Sequence, residues 1–153
     1  MATSNVSAID REEWQLIESK SASGTSVTFN AFSGYKHLWL TGKAITKSAS
    51  DYIRLRPNNN STAGNYAIQY NDGIADKILI GDSTSTAQAA SFQIFDVDKT
   101  TPKKMWGSYD TSVPAMPMDA FVDTVAVTSL VIDTNSGTNT FTGGTFYLYG
   151  IVA

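Results

Sequence analysis

Cysteine is absent from the chain, which excludes a disulfide framework and a thiolate metal site and leaves packing to supply the stability. Histidine occurs once, at His37, and no acid or nucleophile stands at a motif spacing that would make it catalytic. Charge is sparse at 16% of residues, against about 25% in an average soluble domain. The net charge is -3 and the eleven Lys and Arg are scattered, so no positive field collects phosphates and a nucleic-acid partner is not expected. No apolar run is long enough to span a bilayer, and no membrane partner is expected. The opening residues, Met1 to Ile9, lack the basic start and apolar core of a signal peptide, so synthesis in the cytoplasm without one is expected.

What is there is apolar sequence cut into short pieces. Hydrophobic residues make up 42% of 153, enough for one domain over residues 1–153 with a core of its own, residues 1–12 being read as an extended arm. Strand signals recur about every ten residues between turn clusters, the spacing of an antiparallel sandwich or barrel. The segments are 26–30, 36–41, 51–56, 66–70, 77–80, 91–96, 103–109, 124–133 and the C-terminal run after Phe141. Alternation turns Ile53 and Leu55 inward and Arg54 and Arg56 outward, and Pro57 ends that strand. Asn58 to Gly64 reads as an exposed loop, Asn71-Asp72-Gly73 as a hairpin turn, and 113–118 as a proline-rich surface crossing. Gly143-Gly144 reads as a turn into the last strand. There Phe146 and Leu148 share one face, while Tyr147, Tyr149 and Ile151 share the other.

One segment conflicts with an all-β reading. Asp10-Arg-Glu-Glu13 has the form of a capping box, with Ile9 and Trp14 placed as a hydrophobic staple, so local physics favours a helix over residues 11–19.

Chemistry-bearing patterns are thin. Asp96 and Asp98 fall at a strand end, where a turn explains them better than Ca²⁺, and no metal is expected. Asp119 and Asp123 have no spacing that fixes a glycosidase geometry. The serines lack a Gly-x-Ser-x-Gly elbow. No catalytic residue and no cofactor are expected, and the protein is not read as an enzyme. Aromatics are the richer signal: Trp39, Trp106, Tyr109, Tyr147 and Tyr149 suit a core, a subunit interface or a sugar-stacking platform, with Asn58 to Asn60 as a loop for glycans. Arg54 and Arg56, with Lys103 and Lys104 elsewhere, read as rim contacts that pair with acids of a neighbouring subunit. The interface set is therefore Trp39, Arg54, Arg56, Trp106, Tyr147, Tyr149 and Ile151.

Five blocks in order carry a resemblance: Trp14-Gln-Leu-Ile-Glu18; Ser26 to Phe32 followed by Tyr35-Lys-His-Leu38; Ile53-Arg-Leu-Arg-Pro-Asn58; Gly64 to Tyr70; and Phe141 to Ile151. Together they resemble a family of small β-sandwich virion proteins of tailed bacteriophages. The resemblance implies a jelly-roll-like antiparallel β-sandwich, a strand rather than a helix at Trp14, and no catalytic residues. The chain has no coiled-coil or collagen-like segment, which within that family favours a capsid decoration (cement) protein over a tail or fibre component. The expected partners are the major capsid protein and further copies of the chain as a homotrimer, with a glycan as the ligand of a receptor-binding alternative. The expected location is the capsid surface of the virion.

Overall fold

The computed structural model describes residues 13–30, 32–62, 64–67, 74–75, 78–109, 118–121 and 123–153. The described residues form twelve strands and no helix: β1 (Gln15–Ser21), β2 (Ser26–Phe29), β3 (Tyr35–Lys47), β4 (Ile53–Pro57), β5 (Tyr66–Ala67), β6 (Ile74–Ala75), β7 (Ile78–Gly81), β8 (Gln88–Phe95), β9 (Lys103–Tyr109), β10 (Met118–Phe121), β11 (Leu130–Thr134) and β12 (Phe141–Val152). They make an eight-stranded sheet, ordered β1-β12-β3-β8-β9-β10-β5-β6, and a four-stranded sheet, ordered β2-β11-β4-β7. Every pairing is antiparallel. The chain passes from one sheet to the other at most connections and sets β2 beside β11 and β3 beside β8. This is the Greek-key wrapping of a jelly-roll-like sandwich.

Period-two alternation builds the core between the sheets. Leu38 and Leu40 of β3, Phe92 and Ile94 of β8, and Phe146 and Leu148 of β12 face Phe29, Ile53, Leu55, Leu130 and Ile132 of the smaller sheet, all nearly or fully buried. Full burial of such a side chain contributes about 1.5–3 kcal/mol. Lys20 of β1 closes one open side of the sandwich, its Nζ donating to Thr28 O at 2.6 Å and standing 5.5 Å from the Phe29 ring centroid.

Several expectations need correction. Of the two readings of the segment at Trp14, the strand implied by the resemblance is borne out and the helix favoured by the capping box is not: β1 runs from Gln15 onward and pairs along β12; Ile9 and Asp10 lie outside the described residues, as does the arm over 1–12. Trp14 packs against the ring of Trp39, edge-on at 5.8 Å. Gly143-Gly144 is not a turn but an irregularity inside β12, opposite a matching one in β3. Gly144 has φ 98°, and a Cβ there would lie 2.5 Å from Ala44 O, so only glycine fits without strain. Residues 124–129 are not strand, and only Leu130–Thr134 of that apolar run joins a sheet. The reason is competition for its backbone: Lys103 Nζ donates to Asp123 O and Val125 O, Asn58 Nδ2 donates to Ala126 O at 2.8 Å, and Val127 N donates to Val97 O at 2.8 Å. The hairpin turn at 71–73 and most of the crossing at 113–118 lie outside the described residues.

Candidate contact surface

The register of the larger sheet assembles the aromatics that the sequence scatters. Leu16 on β1 stands opposite Tyr149 on β12, Tyr149 opposite Trp39 on β3, Trp39 opposite Gln93 on β8, and Gln93 opposite Trp106 on β9. Directly opposed residues project from the same face, and their neighbours Leu148, Leu38, Phe92 and Met105 point into the core. The row therefore crosses five strands on the outer face, a span of about 20 Å at the usual strand spacing.

The row is ordered in its middle and open at both ends. Tyr149 and Trp39 stack with centroids 5.6 Å apart, Trp14 packs against Trp39, and Trp39 Nε1 donates to Ser91 Oγ at 2.9 Å. These contacts fix the Trp39 ring, which is half-buried. Trp106 is 44% exposed and Leu16 55%. His37 and Phe95 lie in the next row, with ring centroids 5.3 Å apart, and the Asp96 amide donates to His37 Nδ1 at 3.3 Å. In that pairing the neutral imidazole carries its proton on Nε2.

Of the residues expected at an interface, Trp39, Trp106 and Tyr149 share this row. Tyr147, half-buried, belongs to the flanking row with Thr41 and Ser91. Ile151 falls on the expected face opposite His37, yet it is only 8% exposed, so it fills the surface rather than offering it. The side chain of Tyr109 lies outside the described set.

Arg54 and Arg56 do project outward, but from the smaller sheet, and the acid they meet is their own chain's Asp133. Arg54 Nε and NH2 reach Asp133 Oδ1 and Oδ2 at 2.5 and 2.7 Å, and Arg56 NH2 reaches Oδ2 at 2.7 Å. Asp133 sits between them because β11 pairs with β4, placing it opposite Arg54. The signal in the sequence was the one acid in the apolar run of β11, a carboxylate that burial obliges to find partners.

Lys103 is likewise no rim residue: it is fully buried, and burial pushes its ammonium below the ordinary 10.5 while Asp123 pulls the other way. Two of the loop asparagines, Asn58 and Asn60, brace the loop within the chain. Asn58 Oδ1 accepts from Thr128 N at 2.9 Å and Asn60 Nδ2 donates to Asp123 Oδ2 at 2.9 Å. Asp123 Oδ1 also accepts from Val125 N, which makes it a loop brace. Asp98 pairs with Lys99 at 2.6 Å. Among the described residues no three His, Asp or Glu side chains converge as a metal site requires.

Comparison with known protein families finds no family model that matches the chain, and comparison with curated proteins finds no match either.

Proposed function

We propose that the protein is a virion surface protein of a tailed bacteriophage, a capsid decoration protein that docks through the outer face of its larger sheet and stabilises capsomer junctions. The observation that carries this reading is the register row of Leu16, Tyr149, Trp39, Gln93 and Trp106, apolar and aromatic surface held rigid by the sandwich and left open at Trp106. Tyr and Trp supply contact area at low conformational cost and are enriched where proteins meet. The phage assignment rests on the five sequence blocks.

Binding of this kind acts by mass action: a ligand of the assembled lattice lowers its free energy without chemistry. Many copies engaging together add avidity, and a homotrimer bridging three neighbouring capsomers suits that role. Arg54 and Arg56, committed to Asp133, leave the contact to the aromatic row.

The test is cosedimentation of purified protein with expanded empty shells, alongside light scattering for the oligomer. Saturable binding in hundreds of copies per particle is expected. A few copies per particle would make it a tail or fibre component instead, and no binding by a strict monomer would overturn the reading.

A second reading is favoured by the polar groups interleaved with the rings. The Gln93 amide lies between Trp39 and Trp106 in the row, an arrangement suited to stacking and hydrogen bonding with a sugar chain. A glycan array distinguishes it, since a decoration protein returns no hits.

A further inference from the structure

The outer face of the larger sheet also carries a pattern of charge. Lys43 follows Trp39 and Thr41 on the outward side of β3, opposite Thr145 of β12, and Lys104 precedes Trp106 on the outward side of β9. Both are exposed. Because β3 and β9 each run antiparallel to β8, the two lysines fall on opposite sides of the aromatic row. At the usual rise of a strand, Lys104 stands about 7 Å to one side of it and Lys43 about 14 Å to the other.

Among the described residues these two are the only lysines or arginines without a partner. Lys20 pairs with Glu18, Lys99 with Asp98, and Arg54 and Arg56 with Asp133. Lys47 and Lys103 are buried and donate to backbone carbonyls, and Lys36 is engaged as well. Nor does any described acid occupy an outward position of β1, β12, β3, β8 or β9. The positions between the lysines carry hydroxyl, aromatic or amide groups, among them Tyr147, Thr41, Ser91 and Gln93. On a chain of net charge -3, an acid-free face that holds both uncommitted lysines selects an anionic partner.

We infer that the row docks on an acidic protein surface, an apolar patch flanked by carboxylates that pair with Lys43 on one side and Lys104 on the other. This rests on the proposed reading of the row as a protein contact. An apolar centre with a charged rim is the usual anatomy of such a contact, and the rim charges govern approach and salt dependence more than affinity. Leu16, 55% exposed at one end of the row, offers nothing to a sugar's hydroxyls and favours a protein over an acidic polysaccharide.

The experiment is cosedimentation with expanded shells from about 20 to about 500 mM salt, across which screening removes exposed pairs. The proteins are the intact chain, Lys43→Glu, Lys104→Glu, their double variant, and Lys99→Glu as a control of equal charge off the face. Binding of the parent should weaken as salt rises, and the double variant should bind about tenfold more weakly at low salt, a gap that closes at high salt. Lys99→Glu should bind like the parent. Reversals that match the parent at every salt, or a Lys99→Glu variant as weak as Lys104→Glu, would overturn the inference and leave the capsid reading standing.

If no protein binds shells, the capsid reading fails and the intact chain alone decides. An NMR titration then compares acetyl-hexaglutamate amide with acetyl-hexaglutamine amide at the backbone amides of Lys43 and Lys104. Six extended residues span about 20 Å, the separation of the two lysines along the strands. Saturating shifts at both amides, at least about threefold weaker with the glutamine peptide, would uphold the acidic partner. Equal shifts or none would overturn it, as would polygalacturonate binding more tightly than hexaglutamate, which points to an acidic polysaccharide.

Discussion

Asp133 on β11 is gripped from the neighbouring strand by Arg54, Nε to Oδ1 at 2.5 Å and NH2 to Oδ2 at 2.7 Å, with Arg56 adding a third bond to Oδ2. Only 7% of the Asp133 side chain is exposed, against 16% and 15% for the two arginines. Removing the carboxylate leaves two desolvated guanidinium groups facing each other. Asp133→Ala should therefore destabilise by about 3–5 kcal/mol, the range for breaking a buried pair from one side. Arg56→Met, which keeps the covering stem and leaves the Arg54 grip intact, should cost much less. Urea denaturation of the two variants checks the asymmetry; equal losses would show that the pair with Arg54 is not dominant.

Lys103 gives a prediction on the alkaline side. Its ammonium donates to Asp123 O and Val125 O, and burial pushes its pKa below 10.5. Between that lowered folded value and 10.5, the unfolded chain holds a proton that the folded chain has released, so this group makes stability rise with pH across the window. Lys103→Met should cost about 1–3 kcal/mol at pH 7 by leaving the two carbonyls without a donor. The deficit should widen as the pH approaches 10.5. A deficit that narrows instead would contradict the assigned direction.

Asp51 governs the acid side. Burial pushes its carboxyl up, but hydrogen bonds from Ser136 Oγ and N, Asn139 Nδ2 and Tyr52 N outweigh it and hold the pKa below 3.8. The stability this provides is complete above 3.8 and is lost as the pH falls through the folded value. Asp51→Asn should melt earlier at pH 7 and show a shallower decline between pH 5 and pH 2 than the parent. Parallel declines would place the acid sensitivity elsewhere.

The strands legible in the sequence were those with clean alternation and one partner face. Lys103 to Tyr109 matches β9, and the strand read over 51–56 forms as β4 over Ile53–Pro57, where apolar and polar residues alternate and Pro57 is the last residue of the strand and not the first beyond it. Residues 124–129 misled for a physical reason: their apolar content satisfies a strand pattern, but a lysine and an asparagine distant in sequence take their carbonyls. The Gly143-Gly144 pair misled similarly, since a local reading cannot see that Ala44 O lies against it. The aromatic row was half legible. Faces followed from periodicity, but the alignment of Tyr149, Trp39 and Trp106 depends on register across β12, β3, β8 and β9, which no single segment carries.

Trp39 and Trp106 share that row with opposite consequences, and this separates folding from docking. Trp39 is packed by Trp14 and Tyr149 and bonded to Ser91, so Trp39→Ala should destabilise by about 3 kcal/mol. Trp106 is 44% exposed, and Trp106→Ala should change stability by less than about 1 kcal/mol. If the row is the contact surface, truncating Trp106 should still weaken shell binding by more than about tenfold, as loss of an aromatic anchor does. Thermal melts and shell cosedimentation on the same two proteins supply the comparison. A Trp106→Ala variant that binds shells like the parent would remove the outer face of the larger sheet from the contact and leave the smaller sheet to be tested in its place.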